Sequence, residues 1–264
     1  MKNHPVFELS RKVAIVTGGA GLLGSQFSKA LAASGATVVI ADLNEQRCQE
    51  LAAQIREETG NEALALGVDI TCADEVSRMV EQVVANWGKA DILVNSAQSP
   101  PIEGYFDSFE DYSAEVWESV LASDLKGTFL CCQVVGQQML RQGHGSILNI
   151  SSIYGISGPD FSIYGDSGIP SPAVYSVTKA GIIGLTRYLA TYWANKGIRV
   201  NVLTPGGVFN HQDPAFVERY SSKTPMGRMA DKADLIGAML YLVSDASQYV
   251  TGHNLIVDGG WSAW

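Results

Sequence analysis

The stretch from Lys12 to Asp42 limits the chain to very few architectures. Lys12-Val-Ala-Ile-Val-Thr17 is a short apolar run of the kind that forms a fully buried strand. Glycines follow at once (Gly18, Gly19, Gly21 and Gly24), and Ser25–Ser34 then reads as a helix closed by Gly35. A second β-rich run, Ala36–Ala41, ends on Asp42. Strand, glycine turn, helix, strand and acid, in that order, make a dinucleotide-binding βαβ unit. The spacing Gly19-x-Gly21-x-x-Gly24 lets the backbone turn tightly and approach a pyrophosphate at a helix N-terminus. A carboxylate at Asp42 accepts hydrogen bonds from both adenosine ribose hydroxyls and repels a 2′-phosphate. Leu43 and Asn44 bring no cation to offset that repulsion, so the expected cofactor is NAD rather than NADP. Capping of a helix that starts near Glu45 is compatible with the same placement of Asp42.

The alternation continues. Helices are expected over Glu45–Thr59, Ala73–Trp87, Glu115–Arg141 (interrupted by Gly127 and Gly136), Val174–Asn195 and Ala233–Val243. Strands are expected over Ala63–Val68, Asp91–Asn95, Ser146–Ser151, Arg199–Leu203 and Asn254–Val257. This pattern predicts an α/β fold: a doubly wound, Rossmann-type parallel sheet of about seven strands with helices on both faces. With no linker, repeat or low-complexity stretch, residues 1–264 read as one domain. Gly19, Asp42, Asp69, Asn95, Ser152 and Pro205 all fall at or just past the C-terminal ends of expected strands, the edge where open α/β sheets bind ligands.

Composition narrows the partners. The net charge is −9 and no long basic run exists, which argues against nucleic acid and anionic membrane surfaces. No apolar run approaches the ~18 residues of a membrane span, and the N-terminus has no signal-peptide core. Cys48, Cys72, Cys131 and Cys132 have neither zinc-site nor disulfide-framework spacing and read as reduced thiols of a cytoplasmic protein. No cluster of His, Cys and carboxylate has metal-ligand spacing, so no metal is expected.

The chemistry is expected at Tyr175-x-x-x-Lys179, a spacing that puts both side chains on one helix face, one turn apart. A free tyrosine, with a pKa of about 10, is a poor acid or base near neutrality. A neighbouring ammonium favours the phenolate and so suits a tyrosine to exchange protons with a hydroxyl or carbonyl oxygen. Such a pair is weak evidence by itself; its weight comes from the company it keeps.

That company resembles the short-chain dehydrogenase/reductase family, compact branch, over about Leu9 to Gly260. The marks are Thr17-Gly-Gly-Ala-Gly-Leu-Leu-Gly24, Asp69, Asn95-Ser-Ala97, Ser152, Tyr175-x-x-x-Lys179, Pro205-Gly206 and Val257-Asp-Gly-Gly260. The resemblance implies hydride transfer between a nicotinamide and a carbinol or carbonyl carbon. Tyr175 would be the acid/base, Lys179 would hold the nicotinamide ribose, and Ser152 would bond the substrate oxygen. It implies cofactor contacts at Gly18, Gly21, Leu22, Leu23, Gly24, Asp42, Leu43, Asp69, Ile70, Asn95, Ser96, Ala97, Tyr175, Lys179, Pro205, Gly206, Val208 and Asn210.

Several positions depart from the family pattern. Leu22 stands where compact members usually have glycine, a spacing closer to nucleotide-sugar epimerases and dehydratases. Asp124 replaces an asparagine that, in the family, shapes a proton path to the lysine; an ionised aspartate accepts but cannot donate. Gln98 replaces a glycine near the site's mouth, and Asn210 a threonine. The segment between Ser152 and Tyr175 is about ten residues longer than usual, and long loops in compact domains tend to be functional.

The substrate pocket is expected between Ser96–Phe109, Gly155–Pro172 and Phe209–Arg228. These segments carry Gln98, Glu103, Tyr105, Asp160, Tyr164, Asp166, Asn210, His211, Arg219 and Arg228. So polar a set points to a sugar, sugar acid or sugar conjugate rather than a steroid or fatty chain. Gln98, Tyr164 and His211 are the candidate substrate contacts. The long segment with Ile163-Tyr-Gly165 resembles relatives associated with bacterial surface-sugar and flagellin modification, and polyol and gluconate dehydrogenases are similar too. A homotetramer or homodimer is expected. The helix carrying Tyr175 is apolar around much of its girth, and Trp261 and Trp264 suit a second interface or a chain end folded on its own core. An epimerase or dehydratase with tightly bound NAD, and a non-catalytic NAD-binding protein, remain as alternatives.

Overall fold

The computed structural model describes residues 5–165 and 171–264; Asp166 and Pro170 of the long Ser152–Tyr175 segment lie outside them. Seven parallel strands form one sheet in the order β3-β2-β1-β4-β5-β6-β7. They are β1 (Val13–Thr17), β2 (Thr37–Asp42), β3 (Ala63–Gly67), β4 (Ile92–Asn95), β5 (Gly145–Ile150), β6 (Ile198–Pro205) and β7 (Asn254–Val257). The chain builds outward from β1 to β3, then returns to β4 on the other side of β1. That reversal opens a crevice beyond the strands' C-terminal ends. Register keeps the crevice edge level, because Thr17 lies opposite Ala41 on one side and Asn95 on the other.

Both sheet faces are covered, which is why the strands read as continuous apolar runs rather than alternating ones. Ala14, Val16, Val38 and Ile40 face one layer. It is covered by α1 (Gly24–Ala33), α2 (Glu45–Thr59) and α8 (Ile236–Val243). Val13, Ile15, Val39 and Ala41 face the other. That layer is covered by α3 (Ala73–Trp87), α5 (Gly127–Gln142) and α6 (Ala173–Trp193). In α3 the buried residues Val76, Met79, Val80 and Val83 form the stripe expected of a helix laid on a sheet.

The expected helix Glu115–Arg141 is two α segments, α4 (Ala114–Val120) and α5, joined by a π-helical turn over Leu121–Lys126. Gly127 and Gly136 do not interrupt it; they admit close neighbours. A Cβ on Gly127 would lie 2.6 Å from Ile70 Cδ1, and one on Gly136 2.4 Å from the Trp193 ring. The region near 209–230, read only as a substrate loop, contains a helix, α7 (Pro214–Lys223). Its start signal was present in Asp213-Pro214: the Asp213 carboxylate caps the Ala215 and Phe216 amides, and proline opens the first turn.

The cysteines are free, with Cys48, Cys131 and Cys132 buried, and burial pushes the Cys132 thiol up to about 12. Trp261 stacks on Tyr220 with centroids 4.3 Å apart, so this part of the chain end packs on its own domain. Trp264 is exposed, its Nε1 donating to the Lys223 carbonyl. On α6, Ile182, Ile183, Leu189 and Trp193 face inward. Tyr188 and Tyr192 stack on each other outside, each 63% exposed. Among the described residues no helix is long and apolar enough to cross a membrane.

At the opposite sheet edge, the buried Asp91 accepts hydrogen bonds from Val13 N (2.8 Å) and His144 Nε2 (2.9 Å) and pairs with Lys89 Nζ at 3.0 Å. Burial pushes its carboxyl upward, but the amide and the two side-chain partners more than offset this, and the net shift is downward. A depressed folded-state pKa adds stability that is complete above the unfolded value, about 3.9, and lost as pH falls through the folded one. Asp91→Asn is therefore expected to cost about 1.5–3 kcal/mol at neutral pH. In urea titrations the gap to wild type should close as pH falls below about 4. A gap independent of pH would show that the charge is not what stabilises this corner.

Candidate active site

The glycine turn after β1 is shaped by close backbone approach. Gly18 has φ +61°, and a Cβ on it would sit 2.6 Å from Ala97 Cα; a Cβ on Gly24 would sit 2.0 Å from the Gly18 carbonyl oxygen. The turn thus lies against Ser96 and Ala97 at the end of β4, leaving a cradle no side chain could occupy. Leu23 stands at the N-cap of α1 with no side-chain cap, so that helix end is left for a ligand to complete.

Asp42 is held in place, with Oδ2 accepting from Ala20 N and Oδ1 from Asn44 N, both at 3.2 Å. It is not the cap of α2. Asn44 fills that role by accepting from Arg47 N. The exposed Arg47 borders the same cleft as Asp42, and nothing in the glycine-turn pattern marked it. Asp69 Oδ1 accepts from both the amide and hydroxyl of Thr71 at 2.8 Å. Asp42, Leu43, Asp69, Ile70 and Ala97 line a recess of about 130 Å³ beside the turn.

Asn95 does not reach this surface with its side chain. It is buried, donating to Asn149 Oδ1 (2.8 Å), and Asn149 donates in turn to Thr186 Oγ1 (2.8 Å). The residue expected against a cofactor instead ties β4 to β5 and α6, because its side chain alternates into the core while Ser96 and Gln98 beyond it face the cleft.

The main cleft has a volume of about 850 Å³. Gly18, Gly21, Leu22, Leu23, Asp42 and Leu43 line one end, and Ser152, Tyr175 and Lys179 its centre. Pro205, Gly206, Val208 and Asn210 line the far wall. Asn210 N donates to Gln212 Oε1 and Gln212 Nε2 to the Val208 carbonyl, so Gln212, not foreseen, braces that wall.

The central residues are brought together by a contact between β5 and α6. Ser151 Oγ donates to the Lys179 carbonyl at 2.9 Å, and Gly155 passes so close that a Cβ on it would lie 2.8 Å from Lys179 backbone. Ser152 therefore sits across from the exposed face of the first α6 turns. Its Oγ accepts from Tyr154 N at 3.2 Å. Lys179 Nζ lies 5.4 Å from the centroid of the Tyr175 ring, and the lysine is only 4% exposed. Among the described residues Lys179 forms no ion pair. Its charge is left to act on Tyr175 and on whatever ligand enters.

Asp124 lies in the π turn, 1% exposed. Oδ1 accepts from Ser99 N (2.7 Å) and Ser123 Oγ (2.8 Å), while Oδ2 is buried with no partner among the described residues. A π turn adds one residue to a helical turn and is common at functional sites. Tyr105 is buried nearby; desolvation first, then the negative charge of Asp124, pushes its hydroxyl upward.

Gln98 and Tyr164 line the cleft, but His211 does not: it is exposed at φ +59°, its ring edge-on to Phe209. Three of the charged residues expected around the substrate have partners within the protein. Lys223 pairs with Asp160, Arg228 with Asp234, and Arg219 Nε donates to the Ile163 carbonyl at 2.7 Å. The Lys223 and Arg219 bonds latch α7 to the long segment after Ser152. Beside the expected Tyr164, the substrate end of the cleft is lined by Tyr154, Phe216, Tyr220 and Met229, which a reading of loop polarity passed over.

Comparison with known proteins agrees with this architecture. A short-chain dehydrogenase family model described as enoyl-(acyl carrier protein) reductase matches residues 19–262. The chain is 34% identical to a 2,5-dichloro-2,5-cyclohexadiene-1,4-diol dehydrogenase of Sphingobium indicum, over 96% of this chain and 97% of that one. It is 33% identical to a D-threitol dehydrogenase of Mycolicibacterium smegmatis, over 97% and 95%. Among solved structures, a gluconate 5-dehydrogenase from Burkholderia cenocepacia in complex with NADP and tartrate superposes with TM-score 0.87 at 31% identity, covering 98% of both chains. With its glycine turn, parallel sheet order and Ser152–Tyr175–Lys179 cleft, the chain belongs to the short-chain dehydrogenase/reductase family.

Proposed function

We propose that the protein is an NAD-dependent dehydrogenase that oxidises a secondary carbinol of an uncharged, polyhydroxylated substrate and can run in reverse on the ketone. The observation that carries this is the single cleft joining the glycine turn and Asp42 to Ser152, Tyr175 and Lys179. The cradle at Gly18 and Gly24 and the uncapped end of α1 suit a pyrophosphate, and the recess beside Asp42 and Asp69 suits an adenine.

A bound nicotinamide supplies the hydride acceptor. The protein's part is to position the carbinol and to move its proton. Ser152 Oγ hydrogen-bonds the carbinol oxygen, and the Tyr175 phenolate takes the hydroxyl proton as the carbon–hydrogen bond breaks. The buried Lys179 sets its Nζ 5.4 Å from the ring centroid, beside the residue that moves the proton. In the reverse direction Tyr175 returns the proton to the carbonyl oxygen. Among the described residues Lys179 and Arg47 are the only cations on the cleft wall, and the sequence of residues 166–170 contains none. The substrate end therefore offers no spare cation for a carboxylate, which favours a polyol or neutral sugar over a sugar acid.

The preference for NAD rests on Asp42, anchored by two backbone amides where a 2′-phosphate would fall. Asp42→Ala removes the repulsion and leaves Arg47 at the same rim. The ratio of kcat/KM for NADP⁺ to that for NAD⁺ is expected to rise by at least about tenfold, one displaced like-charge contact being worth roughly that. A ratio unchanged by the substitution, or a wild type that prefers NADP⁺, would remove the case for NAD. The stacked, exposed Tyr188 and Tyr192 on α6 and the half-exposed Phe129 on α5 support a homotetramer or homodimer built on these helices. The buried free thiols suit a cytoplasmic location.

A further inference from the structure

We propose that Tyr154 and Tyr164 form a station that binds a second hydroxyl of the substrate and so selects diols over simple alcohols. This rests on the dehydrogenase reading above and names the residues that set its substrate class. The two phenol oxygens lie 2.9 Å apart, within hydrogen-bond distance, and both rings line the cleft beside Ser152 and Tyr175. Tyr154 reaches this position because it follows Ser152 by two residues in a 3-10 turn, its amide bonded to the Ser152 hydroxyl. Its ring meets the Tyr175 ring edge-on, 6.4 Å between centroids at 88°. A substrate carbinol engaged by Ser152 and Tyr175 is thus flanked by the Tyr154 side chain.

The hydrogen-bonding inventory points outward. Two phenols carry two protons, and their mutual bond uses only one. Either phenol can be the donor of that bond. One phenol proton and free lone pairs are left for a guest in the cleft. Burial pushes both hydroxyls upward, so both protons of the pair are present near neutral pH and the phenol that does not donate to its neighbour can donate to the guest. Around the pair the wall is aromatic: Phe216 lies 5.5 Å from Tyr164 between centroids, and 6.0 Å from Tyr220. Such a surface packs against the C–H face of a carbon skeleton while the paired phenols take its hydroxyl.

Tyr154 and Tyr164 can also be seen as a brace between the turn after Ser152 and the segment around 160–165. A brace would affect all substrates alike. The test is therefore a ratio: kcat/KM with NAD⁺ for cyclohexane-1,2-diol and cyclohexane-1,4-diol, each against cyclohexanol, in wild type, Tyr154→Phe, Tyr164→Phe and the double variant. Wild type should favour at least one diol by about tenfold, the worth of one good hydrogen bond. The better diol reports the hydroxyl spacing. Each single variant should shrink that preference, and the double variant should bring it close to unity, with melting temperature recorded to confirm folding. Equal use of diols and cyclohexanol by wild type would overturn the station while leaving the dehydrogenase function standing. So would a preference that survives in the double variant, or an equal loss on all three alcohols. Oxidation of none of the alcohols, nor of any polyol tried with them, would overturn both.

Discussion

Tyr175→Phe is expected to lower kcat by roughly 10²–10⁴-fold, the usual contribution of a positioned acid/base. KM for NAD⁺ and the melting temperature should barely move. The substitution removes one oxygen from a half-buried ring whose neighbours, Tyr154 edge-on and Lys179 beneath, pack against its carbon. Steady-state kinetics in both directions, with NADH affinity measured separately, would check it. A proton-transfer residue should affect oxidation and reduction equally, since the same oxygen carries the proton each way. Retention of more than about a tenth of wild-type kcat would mean the proton travels by another route. Asp124 and the buried Tyr105, whose hydroxyl feels both Asp124 and Tyr175, would then be among the groups to vary.

Gly24→Ala is expected to be the most damaging single-methyl addition to the fold. The new Cβ would lie 2.0 Å from the Gly18 carbonyl oxygen and 2.9 Å from Gly19 Cα, backbone atoms of a turn that cannot move without reshaping the cradle. Overpacking of this kind costs on the order of 3 kcal/mol, which lowers the melting temperature by roughly 5–10 °C for a domain of this size. Nicotinamide dinucleotide affinity should fall by more than about tenfold, beyond what stability alone explains, because the displaced turn is the surface that receives the pyrophosphate. Gly237→Ala in α8 is the control. It has open space at its Cβ and ordinary helical φ, and exchanging glycine for alanine there should be neutral or stabilising by up to about 1 kcal/mol. Equal behaviour of the two variants would contradict the close-approach role given to Gly24.

The parallel sheet was readable because each strand is a short apolar run stopped by a residue with a reason to be there. Thr17 is stopped by the glycines, and β2 ends on Asp42 itself. The same logic placed Ser152, Tyr175 and Lys179, which the fold gathers although they come from two elements. Residue type alone did not reveal side-chain direction in the loops. Asn95 turns into the core because it is still the last residue of β4 and follows the strand's alternation. His211 points away because the chain there adopts a left-handed φ. Asp160 and Arg219 were expected around the substrate, yet once α7 forms Asp160 pairs with Lys223 and Arg219 donates to the Ile163 carbonyl. Short amphipathic α7 was hidden by its ten-residue length, which gives period-based reasoning little to work with.

The most direct test of the central claim is whether the purified protein reduces added NAD⁺ in proportion to polyol consumed, followed by NADH absorbance and by product analysis over many turnovers. D-threitol and a panel of neutral polyols, with gluconate as the charged comparison, would serve as substrates. NADH accumulation that tracks polyol oxidation, exceeds one equivalent per protein, and is weaker with gluconate is the expected result. A protein that retains one tightly bound nicotinamide dinucleotide and changes its substrate with no net NADH would contradict it and point to epimerase- or dehydratase-type chemistry instead.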